Sequence, residues 1–136
     1  MTKIKSNKVS INNTGKSIFS FLSDFNNFEK LMPEQVINWK STADTCSFTI
    51  KGMADLAMRI KSKSEFSEIN YVSDGNAPFG FTLDCFLAEN GNQSKVQIIL
   101  NADLSPMLKL MAVRPLKNFI NLLVNKLKEI MEVIET

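Results

Sequence analysis

Residues 105–134 read SPMLKLMAVRPLKNFINLLVNKLKEIMEVI and predict one long amphipathic helix, Ser105 to Ile134. From Leu116 onward its apolar residues are three or four positions apart, the spacing that lines one face of a helix. They are Leu116, Phe119, Ile120, Leu123, Val124, Leu127, Ile130, Met131 and Ile134. Pro115 has no backbone N–H to donate, so we expect a kink or short break near Val113 and Arg114. One wide apolar face needs a large partner surface, which the rest of the chain must supply.

The partner surface is predicted to be a sheet, because the apolar period changes to two at Val36 and remains two as far as Leu104. The clearest strand runs from Phe79 to Ala88. Asn90-Gly91 follows it and is a strong signal for a tight hairpin. Each apolar run is one-sided and the connections are short. The pattern therefore predicts an antiparallel meander of six strands with one face in water.

The residues before Val36 predict one more strand and two short helices. Lys3 to Ile11 alternates weakly as a strand, and Ile18 to Leu22 forms a first short helix. Asp24 caps a second helix, which Pro33 stops. The expected fold class is α+β: a seven-stranded antiparallel sheet wrapped around the long C-terminal helix, with two short helices between strands 1 and 2.

Composition limits the classes of function. At 136 residues, residues 1–136 are expected to form a single domain. A net charge of +2 gives no electrostatic argument for nucleic acid. There is no histidine, which removes the commonest general base and metal ligand. Without a signal peptide or a long apolar span, and with two cysteines expected to be reduced, the chain is expected to be cytoplasmic.

The predicted order of elements resembles the helix-grip fold of the SRPBCC superfamily, which includes START lipid-transfer domains, birch pollen allergen relatives and polyketide cyclases. The resemblance covers nearly the whole chain and rests on the helix pair around residues 18–25, on Met32-Pro33 followed by Trp39, and on Arg114-Pro115-Leu116. It implies a curved sheet and an internal apolar cavity that binds a hydrophobic small molecule. The allergen branch has a glycine-rich loop, but here Lys51 to Ala54 contains one glycine, which argues against the plant-hormone-type ligands of that branch.

Sheet geometry predicts where such a cavity would open. Turns alternate ends in a meander, so the loops at Gly52 to Asp55 and Gly75 to Pro78 should lie beside the start of the long helix. The predicted rim consists of Met53, Asp55, Asn76, Pro78, Met107, Leu108 and Met111. The predicted walls are Phe48, Ile50, Met58, Tyr71, Phe81, Leu83, Ile98, Phe119, Ile120 and Leu123. The alternative is that these side chains simply fill a close-packed core.

Few residues suggest chemistry. Gly15-Lys16-Ser17 opens a helix after a strand, but Ser10 stands where a phosphate-binding loop needs its first glycine. Cys46 and Cys85 have inward phases and no spacing typical of a metal or redox site. Arg59, Lys61 and Lys63 form a basic stripe that suits transient contact with a membrane surface, or is an ordinary solvated strand face.

Three functions remain open. The first is binding, with transport as a further use, of a lipid, isoprenoid, quinone or polyketide in the cavity. The second is a cyclase- or hydrolase-like enzyme with Asp55 as general acid or base and Tyr71 as hydrogen-bond donor. The third is a protein-interaction module with a filled core, and the fold separates none of these. We expect no cofactor and no metal, a hydrophobic small molecule as partner, and a monomer or homodimer.

Overall fold

The computed structural model describes residues 1–75 and 77–133, and has the predicted α+β architecture. Eight strands, three α-helices and one 3₁₀ turn lie within these residues. In chain order they are β1 (Thr2–Lys5), β2 (Val9–Ile11), α1 (Gly15–Leu22), α2 (Phe25–Phe28), the 3₁₀ turn (Glu29–Leu31), β3 (Val36–Ser41), β4 (Thr45–Ile50), β5 (Ala54–Ser64), β6 (Glu68–Ser73), β7 (Phe81–Asn90), β8 (Gln93–Ala102) and α3 (Pro106–Val133).

The sheet is the predicted antiparallel meander. Its strand order is β1-β8-β7-β6-β5-β4-β3, with β2 pairing β8 beside β1. The β7–β8 hairpin pairs Asn90 with Gln93, so Gly91 and Asn92 form its two-residue turn. Gly91 has a φ of 67°, a left-handed conformation that glycine adopts without a Cβ penalty. The Asn-Gly signal therefore located this hairpin correctly.

The first predicted strand is divided in two, so the sheet has eight strands instead of seven. Lys5 pairs with Ile99, but Val9 pairs with Val96, which is a shift of one residue in register. Ser6 bridges the shift because its Oγ accepts a 2.9 Å hydrogen bond from the backbone N–H of Ile98. The shift changes the phase of the strand, so Ile4 and Ile11, seven positions apart, both face the core.

Helix α1, helix α2 and the 3₁₀ turn close one end of the sheet. Thr14 caps α1 by accepting a 3.2 Å hydrogen bond from the N–H of Ser17. Asp24 caps α2 as predicted, with its Oδ1 2.9 Å from the N–H of Asn26. Helix α2 buries its two aromatic residues, Phe25 and Phe28, completely.

Helix α3 lies against β1, β2, β8 and the 3₁₀ turn. Its buried residues follow the predicted face: Ala112, Leu116, Phe119, Ile120, Leu123, Val124, Leu127 and Met131. The helix runs through Pro115 without interruption, so the predicted short break near Val113 and Arg114 is wrong. Pro115 deprives the carbonyl of Met111 of its helical partner, but Met111 is 67% exposed, so water can solvate that carbonyl. Ile134, predicted to end the helix, lies outside the described residues.

Candidate functional site

An apolar cavity lies between the inner face of the sheet and α3, and its volume is only about 30 Å³. Every residue that lines it is apolar: Phe28, Met32, Phe48, Ile50, Leu56, Met58, Phe79, Phe81, Leu83, Leu100, Leu116, Phe119, Ile120 and Leu123. A space of this size holds one or two water molecules, and apolar walls offer water no partner. Side chains therefore fill most of the interior between sheet and helix.

A larger groove of about 440 Å³ lies outside this cavity, beside the start of α3. It runs between the first turns of that helix and the β4–β5 turn. It is lined by Gln35, Ile50, Lys51, Gly52, Met53, Leu108, Met111, Ala112, Pro115, Leu116 and Phe119. Ile50, Leu116 and Phe119 line both spaces. These three side chains form a shared wall with the groove on one side and the cavity on the other.

Most of the predicted ligand-binding residues lie at these two spaces. Phe48, Met58, Phe81, Leu83, Ile120 and Leu123 line the cavity, Met53 and Met111 line the groove, and Ile50 and Phe119 line both. Leu108, predicted at the rim, lines the groove. Tyr71 and Ile98 are buried in the core away from the cavity lining. Met107 is 72% exposed and outside the groove lining. Asn76 lies outside the described residues.

Asp55 does not lie at the rim of the groove, which corrects the prediction from the loops. Strand β5 begins at Ala54, so Asp55 belongs to the strand and has the opposite phase to the buried Leu56. Its exposed carboxylate accepts a 2.6 Å hydrogen bond from the hydroxyl of Thr49 on the neighbouring strand. It lines a separate depression whose lining mixes polar residues such as Asn38 and Lys40 with apolar ones.

Tyr71 lies on the inner side of the sheet, fully buried. Its hydroxyl donates a 2.6 Å hydrogen bond to the backbone carbonyl of Leu22. Burial, followed by the neighbouring Cys85, raises the pKa of Tyr71 well above its usual value. The sheet therefore separates Tyr71 from Asp55, and the two do not form a joint acid–base site.

Sequence reasoning missed the contribution of the short helices. Phe28 of α2 and Met32, just after the 3₁₀ turn, line the cavity. Their spacing with Phe25 and Leu31 showed that they were buried, but it gave no indication that they meet α3. Gln35 and Lys51 are the polar residues of the groove lining, and their backbones are joined by a 2.8 Å hydrogen bond from the N–H of Lys51 to the carbonyl of Gln35.

The other candidates for chemistry have structural explanations. The N–H of Gly15, which opens α1, donates a 2.5 Å hydrogen bond to the carboxylate of Glu89, so a side chain of the protein already occupies the position of a phosphate. Burial raises the pKa of Cys46 and of Cys85 to about 12, which keeps both thiols protonated. Across the described residues, no group of three His, Cys, Asp or Glu side chains is placed to hold a metal ion.

Arg59, Lys61 and Lys63 are all exposed. Arg59 pairs with Val72 and lies on the outer face as predicted, but the register of β5 shifts between Ile60 and Ser62. Beyond this shift Lys63 pairs with the buried Ile69 and has the phase of the inner face, so the three cations do not form the predicted single stripe. None of the three lines the groove. No helix in residues 1–75 and 77–133 is long and apolar enough to span a membrane.

Comparison with known proteins shows similarity at the level of structure. The sequence matches no protein-family model and no curated protein. A START superfamily protein from Mycobacterium smegmatis superposes with a TM-score of 0.71 at 14% identity, over 98% of this chain and 99% of that one. A protein from Thermus thermophilus gives a TM-score of 0.78 at 10% identity, over 99% and 100% of the two chains. The Aha1 dimer of Colwellia psychrerythraea gives 0.72 at 16% identity, over all of both chains. With this strand order and this terminal helix, the chain has the helix-grip fold that START-like proteins share.

Proposed function

We propose that residues 1–136 form one domain that binds a hydrophobic or amphipathic small molecule, such as a lipid, isoprenoid, quinone or polyketide. The site is the groove beside the start of α3, and it extends inward to the apolar cavity. The observation that supports this most directly is the wall of Ile50, Leu116 and Phe119 that the two spaces share. The binding of ligands by other proteins of this architecture is an analogy only.

The groove has the size and lining that such a ligand needs. Its volume of about 440 Å³ lies within the range of roughly 300–1,000 Å³ that is usual for small-molecule sites. Burial of roughly 300 Å² of ligand apolar surface would contribute about 7 kcal/mol before the costs of association are subtracted. Gln35 and Lys51 are the polar side chains in the lining and would bind a polar end of the ligand.

The cavity behind the shared wall, at about 30 Å³, would accept only the tip of the apolar end of a ligand. Phe119 is 9% exposed and separates the groove from the cavity. Rotation of its ring would join the two spaces, and the apolar end of a ligand would then contact Met58 and Leu83. The methionines at the site, Met32, Met53, Met58 and Met111, are unbranched and adapt to the shape of what they pack against.

The first test is native mass spectrometry of the recombinant protein, followed by organic extraction. A reproducible adduct of low mass that leaves on extraction supports the proposal and gives the chemical class of the ligand. The apo protein is then titrated with a panel of fatty acids, isoprenoids and quinones, with thermal shift as the readout. A clean apo mass together with no thermal shift from any compound would argue against the proposal.

A pair of variants locates the site. Met111 lines the groove and is 67% exposed, so Met111→Trp should fill the groove without disturbing the core. Met107 is similarly exposed, at 72%, but lies outside the groove lining, so Met107→Trp is the matched control. We expect the affinity for the best binder of the panel to fall at least about tenfold in the first variant and to be unchanged in the second. Equal affinities in both variants would exclude the groove.

A further inference from the structure

The first turns of α3 expose large apolar side chains to solvent. Met107, Leu110 and Met111 are 72%, 90% and 67% exposed. Their spacing of three and four residues places them on one face of the helix. We call these three residues the α3 tip. Because a contiguous exposed apolar patch is uncommon on a protein surface, the tip indicates a surface that meets something other than water.

The charged side chains of the first half of α3 have one sign. Arg114 and Lys117 continue the same face four and seven residues after Leu110, whereas Lys109 lies on another side of the helix; all three are exposed. No acidic residue occurs in the sequence between Asp103 and Glu129. The start of a helix favours acidic side chains and disfavours basic ones, so helix stability does not explain this pattern. An anionic partner does explain it.

A second copy of this chain would be a poor partner for the α3 tip. A two-fold contact through this face would place four cations, Arg114 and Lys117 of each copy, at one interface, and residues 104–128 contain no acidic side chain to pair with them. The surface of an anionic bilayer accepts both features of the patch. The apolar side chains enter the boundary between headgroups and acyl chains, while the basic side chains remain at the lipid phosphates.

We propose that the α3 tip docks the protein onto the surface of an anionic membrane. Met107, Leu110 and Met111 enter the acyl boundary, and Arg114 and Lys117 contact lipid phosphates. Docking in this orientation places the groove, whose lining includes Leu108 and Met111, at the lipid surface. The surface differs from the predicted basic stripe of Arg59, Lys61 and Lys63, which all belong to β5. Membrane docking through the tip does not depend on whether the groove holds a ligand.

The test measures co-sedimentation of the protein with sucrose-loaded vesicles of phosphatidylcholine, with and without phosphatidylglycerol. We expect binding to be at least about tenfold stronger when phosphatidylglycerol is present, and to weaken as salt is added. Arg114→Gln combined with Lys117→Gln should remove most of the preference for phosphatidylglycerol. Wild-type protein that fails to bind the anionic vesicles, or binds both kinds equally, would overturn the proposal.

A matched pair of substitutions on one helix separates the tip from general surface hydrophobicity. Leu110→Ser should reduce vesicle binding about tenfold, and at 90% exposure Leu110 makes no contribution to the core. Val133→Ser is the control because Val133 is 82% exposed on the same helix but lies next to Glu129 and Glu132. Binding that falls equally in both variants would overturn the proposal. So would analytical ultracentrifugation that shows a dimer dissolved by Leu110→Ser, in a protein that does not bind vesicles.

Discussion

Tyr71 shows how packing, rather than catalysis, explains a buried polar group of this core. Its ring lies 5.1 Å, between centroids, from those of both Phe25 and Phe28. Its hydroxyl is 2.6 Å from the carbonyl oxygen of Leu22, at the end of α1. This hydrogen bond fixes the short helices to the sheet and satisfies two buried polar groups at once. A general acid at this position would have to give up that bond and would have no route to Asp55, so the geometry argues against the predicted acid–base pair of Asp55 and Tyr71.

The two buried thiols predict a loss of stability at alkaline pH. Burial, followed for Cys85 by the carboxylate of Asp84, raises both pKa values to about 12 from an ordinary value of 9.0. Above pH 9 the unfolded chain releases these protons while the folded chain keeps them. Their contribution to stability is therefore complete below pH 9 and is lost as the pH rises toward 12, by up to about 1.4 kcal/mol per pH unit for each thiol.

This alkaline loss is measured by urea denaturation of the wild type and of a Cys46→Ala/Cys85→Ala double variant between pH 8 and pH 10.5. The variant is expected to be less stable at pH 8 because it leaves small cavities. Its disadvantage should shrink steadily above pH 9, because only the wild type has the two thiols and every other group is common to both proteins. A constant difference across this range would show that the thiols ionise equally in the folded and unfolded chains.

At the scale of the element, α3 contains two prolines in opposite circumstances. Pro106 occupies the first helical position, where a missing N–H costs nothing and the fixed φ favours the helix. Pro115 lies in the interior, where it removes the hydrogen bond to the carbonyl of Met111.

We expect Pro115→Ala to stabilise the protein by about 1–2 kcal/mol, because the regained helical bond outweighs the entropy gained by the unfolded chain. The matched variant Pro106→Ala should be neutral or slightly destabilising. The midpoints of urea denaturation of both variants, compared with that of the wild type, measure these changes in stability. A loss of stability in Pro115→Ala would mean that the helix requires the backbone geometry of proline at this position.

The sequence predicts an element well where its apolar residues repeat regularly enough to show which side chains face the core. The faces of β7, β8 and most of α3 followed from apolar spacing alone, because each is long and strictly periodic. The β1–β2 division did not, although Ile4 and Ile11 sit seven positions apart and cannot share a face of one regular strand. Asp55 was assigned to a loop because no residue type in the sequence signals that β5 starts at Ala54. In a strand, a difference of one residue moves a side chain to the opposite face of the sheet.

The candidate site was predicted less completely than the fold, because the site is a space between elements. The inward phase of Phe48 and Leu83 could be read locally, but their distance from α3 could not. Ile98 has the same inward phase and is equally buried, yet lies away from the cavity lining. Met107 was placed at the rim because the start of the helix was predicted to lie beside the two loops, which locates the first turn but does not give the orientation of its side chains. An uninterrupted helix fixes that orientation, and it points Met107 away from the groove.

In the molecule as a whole, the two parts of α3 differ in the number of contacts that attach them to the sheet. From Ala112 to Met131 the helix contributes a continuous buried face, and polar contacts fix it to the sheet edge. Asn121 accepts a 2.8 Å hydrogen bond from the N–H of Asn7, and Lys128 donates one of 2.7 Å to the carbonyl of Ser10. The first six residues, 106–111, bury no side chain. The part of the helix that borders the groove is therefore the part with the fewest stabilising contacts.

This difference predicts how binding would change the dynamics of the protein. Segments with few buried contacts open locally at low free energy, so amides of residues 108–112 should exchange hydrogen at least about tenfold faster than those of residues 120–131. A small molecule in the groove would contact residues 108–119 and the turn at residues 50–53, and would slow exchange in both segments. Hydrogen–deuterium exchange, with and without the best binder of the lipid and quinone panel, measures both effects.

The Met111→Trp variant, which fills the groove, should show the slowed exchange without ligand and little further change when the binder is added. Protection that appeared instead on the outer face of the sheet, around Asp55, would place the ligand on the opposite side of the molecule from the groove.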